Sequence, residues 1–292
     1  MKTYPLLRCF IVACAVALTA APAVQAQAPT AGIDEFFERF TAEWVRGDAD
    51  LATALRYFSG EEQDRLERQL TPQTQDYSKD RIRLAQKGLN ELRKFDHAQL
   101  SETQRLSAEL MQWQLEAITR AEPYLDYSFP LEQFSGANVQ LVETLTLRHP
   151  LATRQDADNY LTRLALVDER MNEAVAEAKR LSRKKMVPPR FIVAATLASM
   201  RTFGEAAPDR NPLVTAFAQK IATVDSISPA ARAELQAKAA TLVGQQVYPA
   251  WQRAIALLES IRPETTDDAG LWRYSGGEAA YANLYGDRKS VV

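Results

Sequence analysis

Between Thr153 and Leu181 the positions Ala157, Tyr160, Leu161, Leu164, Val167, Met171, Ala174, Ala178 and Leu181 return every three or four residues. That period belongs to one face of an α-helix, so the stretch predicts a long amphipathic helix with a continuous buried stripe. Arg180, Arg183, Lys184 and Lys185 at its end suit a helix C-terminus, where cations meet the dipole and stay solvated.

The same period recurs along most of the chain, and β-branched alternating runs are scarce. The expected fold class is therefore all-α, a multi-helix array or bundle with long amphipathic helices. Phe36, Phe37, Phe40 and Trp44 mark a first helix that Gly47-Asp48 breaks, and a second runs from about Ala49 to Leu70. Ile82 to Phe95 carries a third, weakened in its middle by Gly88. Ser101-Glu-Thr-Gln104 is a capping box, opening a helix whose Leu106, Leu110, Trp113, Leu115 and Ile118 read as core. Pro123, Pro130 and Gly136 punctuate an aromatic loop from Glu122 to Gly136. Pro189 suits the first position of the next helix, and Asn211-Pro212 opens another. Ser228-Pro229 opens what reads as the longest, to about Ile261, kinked near Gln245 to Tyr248 by Pro249.

At the N-terminus, Lys2 and Arg8 precede a short apolar run from Cys9 to Ala21, and Val24-Gln25-Ala26 supplies small residues for cleavage. Residues 1–26 are expected to be a signal peptide, too short in its apolar part to span a bilayer, and the destination is periplasmic or secreted. Of the 292 residues, 266 would remain, with a formal charge of −4 in place of −2 and neither cysteine. With no basic excess, nucleic acid is not expected as a partner, and no membrane attachment is expected after cleavage. The mature chain has no thiol nucleophile, no Gly-rich phosphate loop and no nucleophile elbow. Its two histidines, His97 and His149, lack a second histidine within helical reach, so each reads as structural; no catalytic residue, metal ligand or cofactor is assigned to this chain.

The densest stretch of possible function is Asp267 to Tyr285, which holds the chain's Gly276-Gly277 pair among Trp272, Tyr274 and Tyr281. The glycines predict a tight turn into a helix with Glu278 in its first turn. The block G-L-W-R-x-x-G-G-E-A-x-Y resembles a signature of the bacterial domain of unknown function 885 family, secreted helical proteins. Pro130-Leu-Glu-Gln133-Phe-Ser-Gly136 and Val187-Pro-Pro-Arg190 resemble two further blocks of that family, in the family's order. The resemblance implies that Arg273, Gly276, Gly277, Glu278 and Tyr281 are candidate substrate-binding positions, as members of its motif. It also implies that 27–285 is the N-terminal helical region, an incomplete half of a larger fold.

In that family an H-E-x-x-H zinc motif follows in a later half. The resemblance thus implies a zinc-dependent hydrolase of peptidase type, acting on a peptide or other small substrate, with zinc activating water and glutamate as general base. The chain itself is expected to be inactive. The other reading of the residues is a periplasmic helical binding or scaffold protein without metal chemistry. The tail 286–292 breaks both the helical pattern and the resemblance, and Asp287 to Val292 matches the translation of a common sequencing adapter, so a non-native tail is expected.

Overall fold

The computed structural model describes residues 32–285; the segment 1–26 expected to be a signal peptide and the tail 286–292 lie outside the described residues. The chain is all-α, and among the described residues there is no strand. Among the described residues twelve α-helices follow in order: α1 Ile33–Arg46, α2 Ala49–Leu55, α3 Gly60–Glu67, α4 Gln75–Leu92, α5 Glu102–Arg120, α6 Ala137–Glu143, α7 Arg154–Arg183, α8 Arg190–Glu205, α9 Pro212–Ala222, α10 Pro229–Leu242, α11 Tyr248–Ile261 and α12 Gly277–Tyr285. They form two compact units, one from described residues within Met1–Gly47, Asp76–Leu125 and Asn283–Val292, the other from Asp48–Gln75 and Asp126–Ala282.

In the first unit, α1 presents Phe36, Phe40 and Trp44 as a buried row, with Phe40 stacked on Trp44 at 5.9 Å. Gly88 of α4 lies against this row: a Cβ there would stand 2.1 Å from the Phe40 ring. The glycine that weakens α4 locally is thus what allows the aromatic row to approach it. On α5 the expectation is half corrected. Ala108, Met111 and Leu115 form the buried face, whereas Leu106, Leu110 and Trp113 point to solvent. The expected capping box of Ser101 and Gln104 is present.

The second unit is built around α7, 30 residues long, whose start Thr153 and Asp156 close with a capping box. Its stripe from Ala157 to Leu181 is fully buried against α11, α10, α6 and α3. The span read as one helix from 49 to 70 is two, because Arg56 at φ 45° and Gly60 at φ 58° turn the chain through the left-handed region. Pro189 proves to be the residue before α8 rather than its first. The segment from Pro229 to Ile261 is not the longest helix. It is divided into α10, a π-turn at Val243–Val247 and α11. The amide of Tyr248 reaches back to the Val243 carbonyl. The widened turn makes room ahead of Pro249, which has no amide and whose ring crowds the carbonyl four residues earlier. Within the aromatic loop, Glu122–Tyr127 is wound as a 3-10 helix. Leu131 further on is buried, so the P-L-E-Q block reaches the core through that one side chain.

Candidate functional site

The Gly-Gly segment begins with a 3-10 turn at Leu271–Arg273 and enters α12 through Gly276, at φ +78°. The Gly277 amide donates to the Tyr274 carbonyl at 2.9 Å, and the Ala280 amide to Gly276 at 3.0 Å. Gly277 is where the turn closes on itself, since a Cβ there would lie 1.7 Å from the Leu271 carbonyl oxygen. Gly277→Ala is expected to destabilise the protein by about 1–3 kcal/mol by forcing 271–277 apart, because the obstruction is backbone and cannot rotate away. An unchanged denaturation midpoint for this variant would refute that packing.

Around this turn the second unit ties two of the quoted sequence blocks together. Arg273 donates through Nη1 to the Asp268 carbonyl at 2.9 Å and through Nη2 to the Val187 carbonyl. The Tyr274 hydroxyl also donates to Val187. Arg190 answers from the other side, its amide on Thr266 at 2.8 Å and its Nη2 on the Thr265 carbonyl at 2.9 Å. The Tyr127 hydroxyl donates to the Ser275 carbonyl, and its ring meets Tyr274 edge-on at 6.0 Å. Burial raises the Tyr274 hydroxyl above its ordinary value, so it stays a proton donor. The loop is anchored one residue earlier. Asp126 accepts from Arg180, Lys184 and Gln75, and the Arg180 bond foremost holds its carboxyl down at about 2. The basic end of α7 is therefore engaged with acids.

Of the five sequence-predicted positions, then, Arg273 has its guanidinium committed to main-chain carbonyls, and Gly276 and Gly277 shape the turn. Glu278 lies in the first turn of α12 and is exposed, as is Tyr281 at 56 %. Trp272 is exposed too, its ring lying over Gly270. These side chains form an outward-facing surface. None of the five lines the open groove of about 490 Å³ that runs between α7 and α11 past Asn172, Lys179 and Arg253.

Sequence reasoning missed a second constellation, buried in the same unit. Arg163 is fully buried on α7; its Nε donates to the Gln69 carbonyl at 2.7 Å, and its Nη2 to Asp50. Its Nη1 lies 3.3 Å from His149 Nδ1. A guanidinium can only donate, so Nδ1 must accept and the imidazole proton sits on Nε2, which donates to the Asp156 carbonyl at 2.9 Å. Burial foremost, then the Arg163 charge, lowers His149 to about 3, so it is neutral. Glu67, also buried, accepts from Gln63 at 2.8 Å and Asn159 at 3.3 Å, with Arg56 at 3.6 Å. The signal was available: Asn159, Arg163 and Arg170 fall on the same helical face as Tyr160, Val167 and Met171. Polar residues on a buried stripe announce partners from elsewhere in the chain.

The donor set does not fit a zinc site. His149 has both ring nitrogens engaged. His97 opens the 3-10 turn His97–Gln99. Among the described residues no group of three or more His, Cys, Asp or Glu could hold a metal ion. Also among the described residues, no helix is long and apolar enough to cross a membrane.

A family model described as "Bacterial protein of unknown function (DUF885)" matches residues 50–288. A search of curated proteins finds no match. Among solved structures, the chain is similar to one described as "The crystal structure of the putative lipoprotein from Colwellia psychrerythraea", with a TM-score of 0.73 and 16% sequence identity. That likeness covers 86% of this chain and 46% of the other, so the chain spans about half the length of the solved relative.

Proposed function

Since the chain belongs to the DUF885 family of bacterial proteins, we propose that it is the N-terminal helical part of a secreted zinc-dependent hydrolase of peptidase type, and that it carries scaffold and substrate-facing surface rather than the reacting groups. The observation that carries this reading is the half-length likeness: 86% of this chain corresponds to 46% of a solved chain of the same fold. The donor inventory supports it, because a zinc site needs three or four converging ligands and the described residues supply no such group. In this reading Glu278 and Tyr281, exposed on α12, face a peptide or other small substrate in the whole protein. Arg273, Gly276 and Gly277 hold α12 at its angle.

The expected result is that the purified chain retains no stoichiometric zinc after dialysis and cleaves nothing in a panel of peptide substrates. The reading frame amplified from the source genome through the codons of Tyr285 is expected to encode a longer chain that retains zinc and cleaves peptides. One tightly held zinc per copy of the present chain, or a longer chain without hydrolytic activity, would overturn the proposal.

A further inference from the structure

Arg253 on α11 donates through Nε to Asn172 Oδ1 at 2.9 Å and through Nη2 to Asp168, both on α7. Lys185, past the end of α7, reaches Glu264, past the end of α11, at 2.9 Å. The two helices therefore run parallel. The open groove of about 490 Å³ between them has Arg253 and Asn172 at one end, Lys179 and Ser260 at the other. Its length is seven residues of either helix, about 10 Å. Val175 and Leu257 form a buried apolar floor, and the exposed Ala176 and Ala256 on its flanks are too small to close over it.

Charge on this groove is one-sided. The chain carries 35 basic and 37 acidic residues, yet the lining of the groove includes two cations and no carboxylate. Arg253 is held by Asp168. Lys179 is exposed and, among the described residues, forms neither an ion pair nor a hydrogen bond, whereas Arg180 and Lys184 beside it both engage Asp126. An unengaged ammonium beside an apolar floor complements a ligand that joins a carboxylate to an apolar group.

We propose that the groove binds the C-terminal end of a short peptide whose last side chain is apolar. Lys179 takes the terminal carboxylate, and the last side chain lies on Val175 and Leu257. Ser260 Oγ gives its own proton to the Leu257 carbonyl at 2.7 Å, which leaves the oxygen to accept from a peptide amide. Asn172 Oδ1 can accept from an amide further along, and about 10 Å holds about three extended residues. A fatty acid offers the same carboxylate but no amide for these two acceptors. Because Lys179 is exposed, its ion pair adds a modest, salt-sensitive part of the affinity. The site belongs to the present chain and does not depend on the hydrolase reading.

The test is a titration of the full chain, labelled at its valine and leucine methyl groups, with N-acetyl-Ala-Ala-Leu. Saturable shifts at Val175 and Leu257 are expected. The C-terminal amide of the same peptide should bind several-fold more weakly, as should the free acid to Lys179→Gln, and Lys179→Arg should retain binding. Both variants change an exposed side chain, and unaltered circular dichroism spectra check their folding. No saturable shift at millimolar peptide, equal binding of acid and amide, or full binding by Lys179→Gln would overturn the proposal. Octanoate binding more tightly than the peptide would also overturn it, in favour of a fatty-acid site. Peptide binding here, alongside a longer chain that cleaves nothing, would keep this site and remove only the hydrolase reading.

Discussion

Arg163→Met is expected to lower the free energy of unfolding by about 3–5 kcal/mol, the usual result of removing one member of a buried ion pair. Methionine keeps the aliphatic volume on α7 but supplies no donor. The Asp50 carboxylate, 5% exposed, loses its guanidinium, and the Gln69 carbonyl and His149 Nδ1 lose theirs. For a chain of this size that is a fall in melting temperature of roughly 6–20 °C. Arg163→Lys should fall between, because one ammonium cannot span three acceptors. Removing both charges, as in Arg163→Met with Asp50→Leu, should recover a large part of the loss. The measurement is the denaturant midpoint at constant slope. A loss under about 1 kcal/mol for Arg163→Met would mean that the guanidinium is solvated in solution.

Acid is expected to unfold the protein along a steeper course than its carboxylates alone dictate. His149 titrates near 3 when folded, and near 6.5 in an unfolded chain. Between those values the unfolded state takes up a proton that the folded state refuses, so stability is intact above about pH 6.5 and falls as pH drops toward 3. The slope from this group approaches about 1.4 kcal/mol per pH unit, for a total of about 5 kcal/mol. Arg163 and Lys220 oppose a proton on the ring as cations, and Asp156 compensates for it only in part. Asp126 acts in a lower window, contributing stability above about 3.8 that is lost as pH falls through about 2. Denaturation series at pH 7.5, 6 and 5 therefore isolate His149. His149→Gln, which can still accept from Arg163 and donate to Asp156, should flatten the dependence in that interval. Equal slopes in the two proteins would remove the imidazole from the account.

Fold class was legible because every long element buries one face, and burial leaves a 3.6-residue period in the sequence. The stripe of α7 and the caps at Ser101, Asn211 and Ser228 were readable for the same local reason. Where tertiary contacts decided, the letters misled. Gly88 read as a weak point, and its purpose is visible only once Phe40 lies on it. Leu106, Leu110 and Trp113 read as core because periodicity shows that a face is apolar but not whether anything covers it. The division at Arg56 escaped because arginine carries no turn signal. Around Gly276 the turn was legible, but the hold of Arg273 and Arg190 on carbonyls of distant segments was not, since main-chain acceptors have no sequence signature.

The second unit takes Asp48–Gln75 from one side of an interruption and Asp126–Ala282 from the other. Asp50 and Arg163 are consequently 113 residues apart in sequence. At a synthesis rate of about 5–20 residues per second, roughly 6–23 s separates the emergence of the acid from that of its base. Over that interval Asp50 lacks the Arg163 guanidinium and Glu67 lacks the Asn159 amide, because neither residue has yet been made. The ion pair at the heart of this unit therefore forms only after α7 has been made.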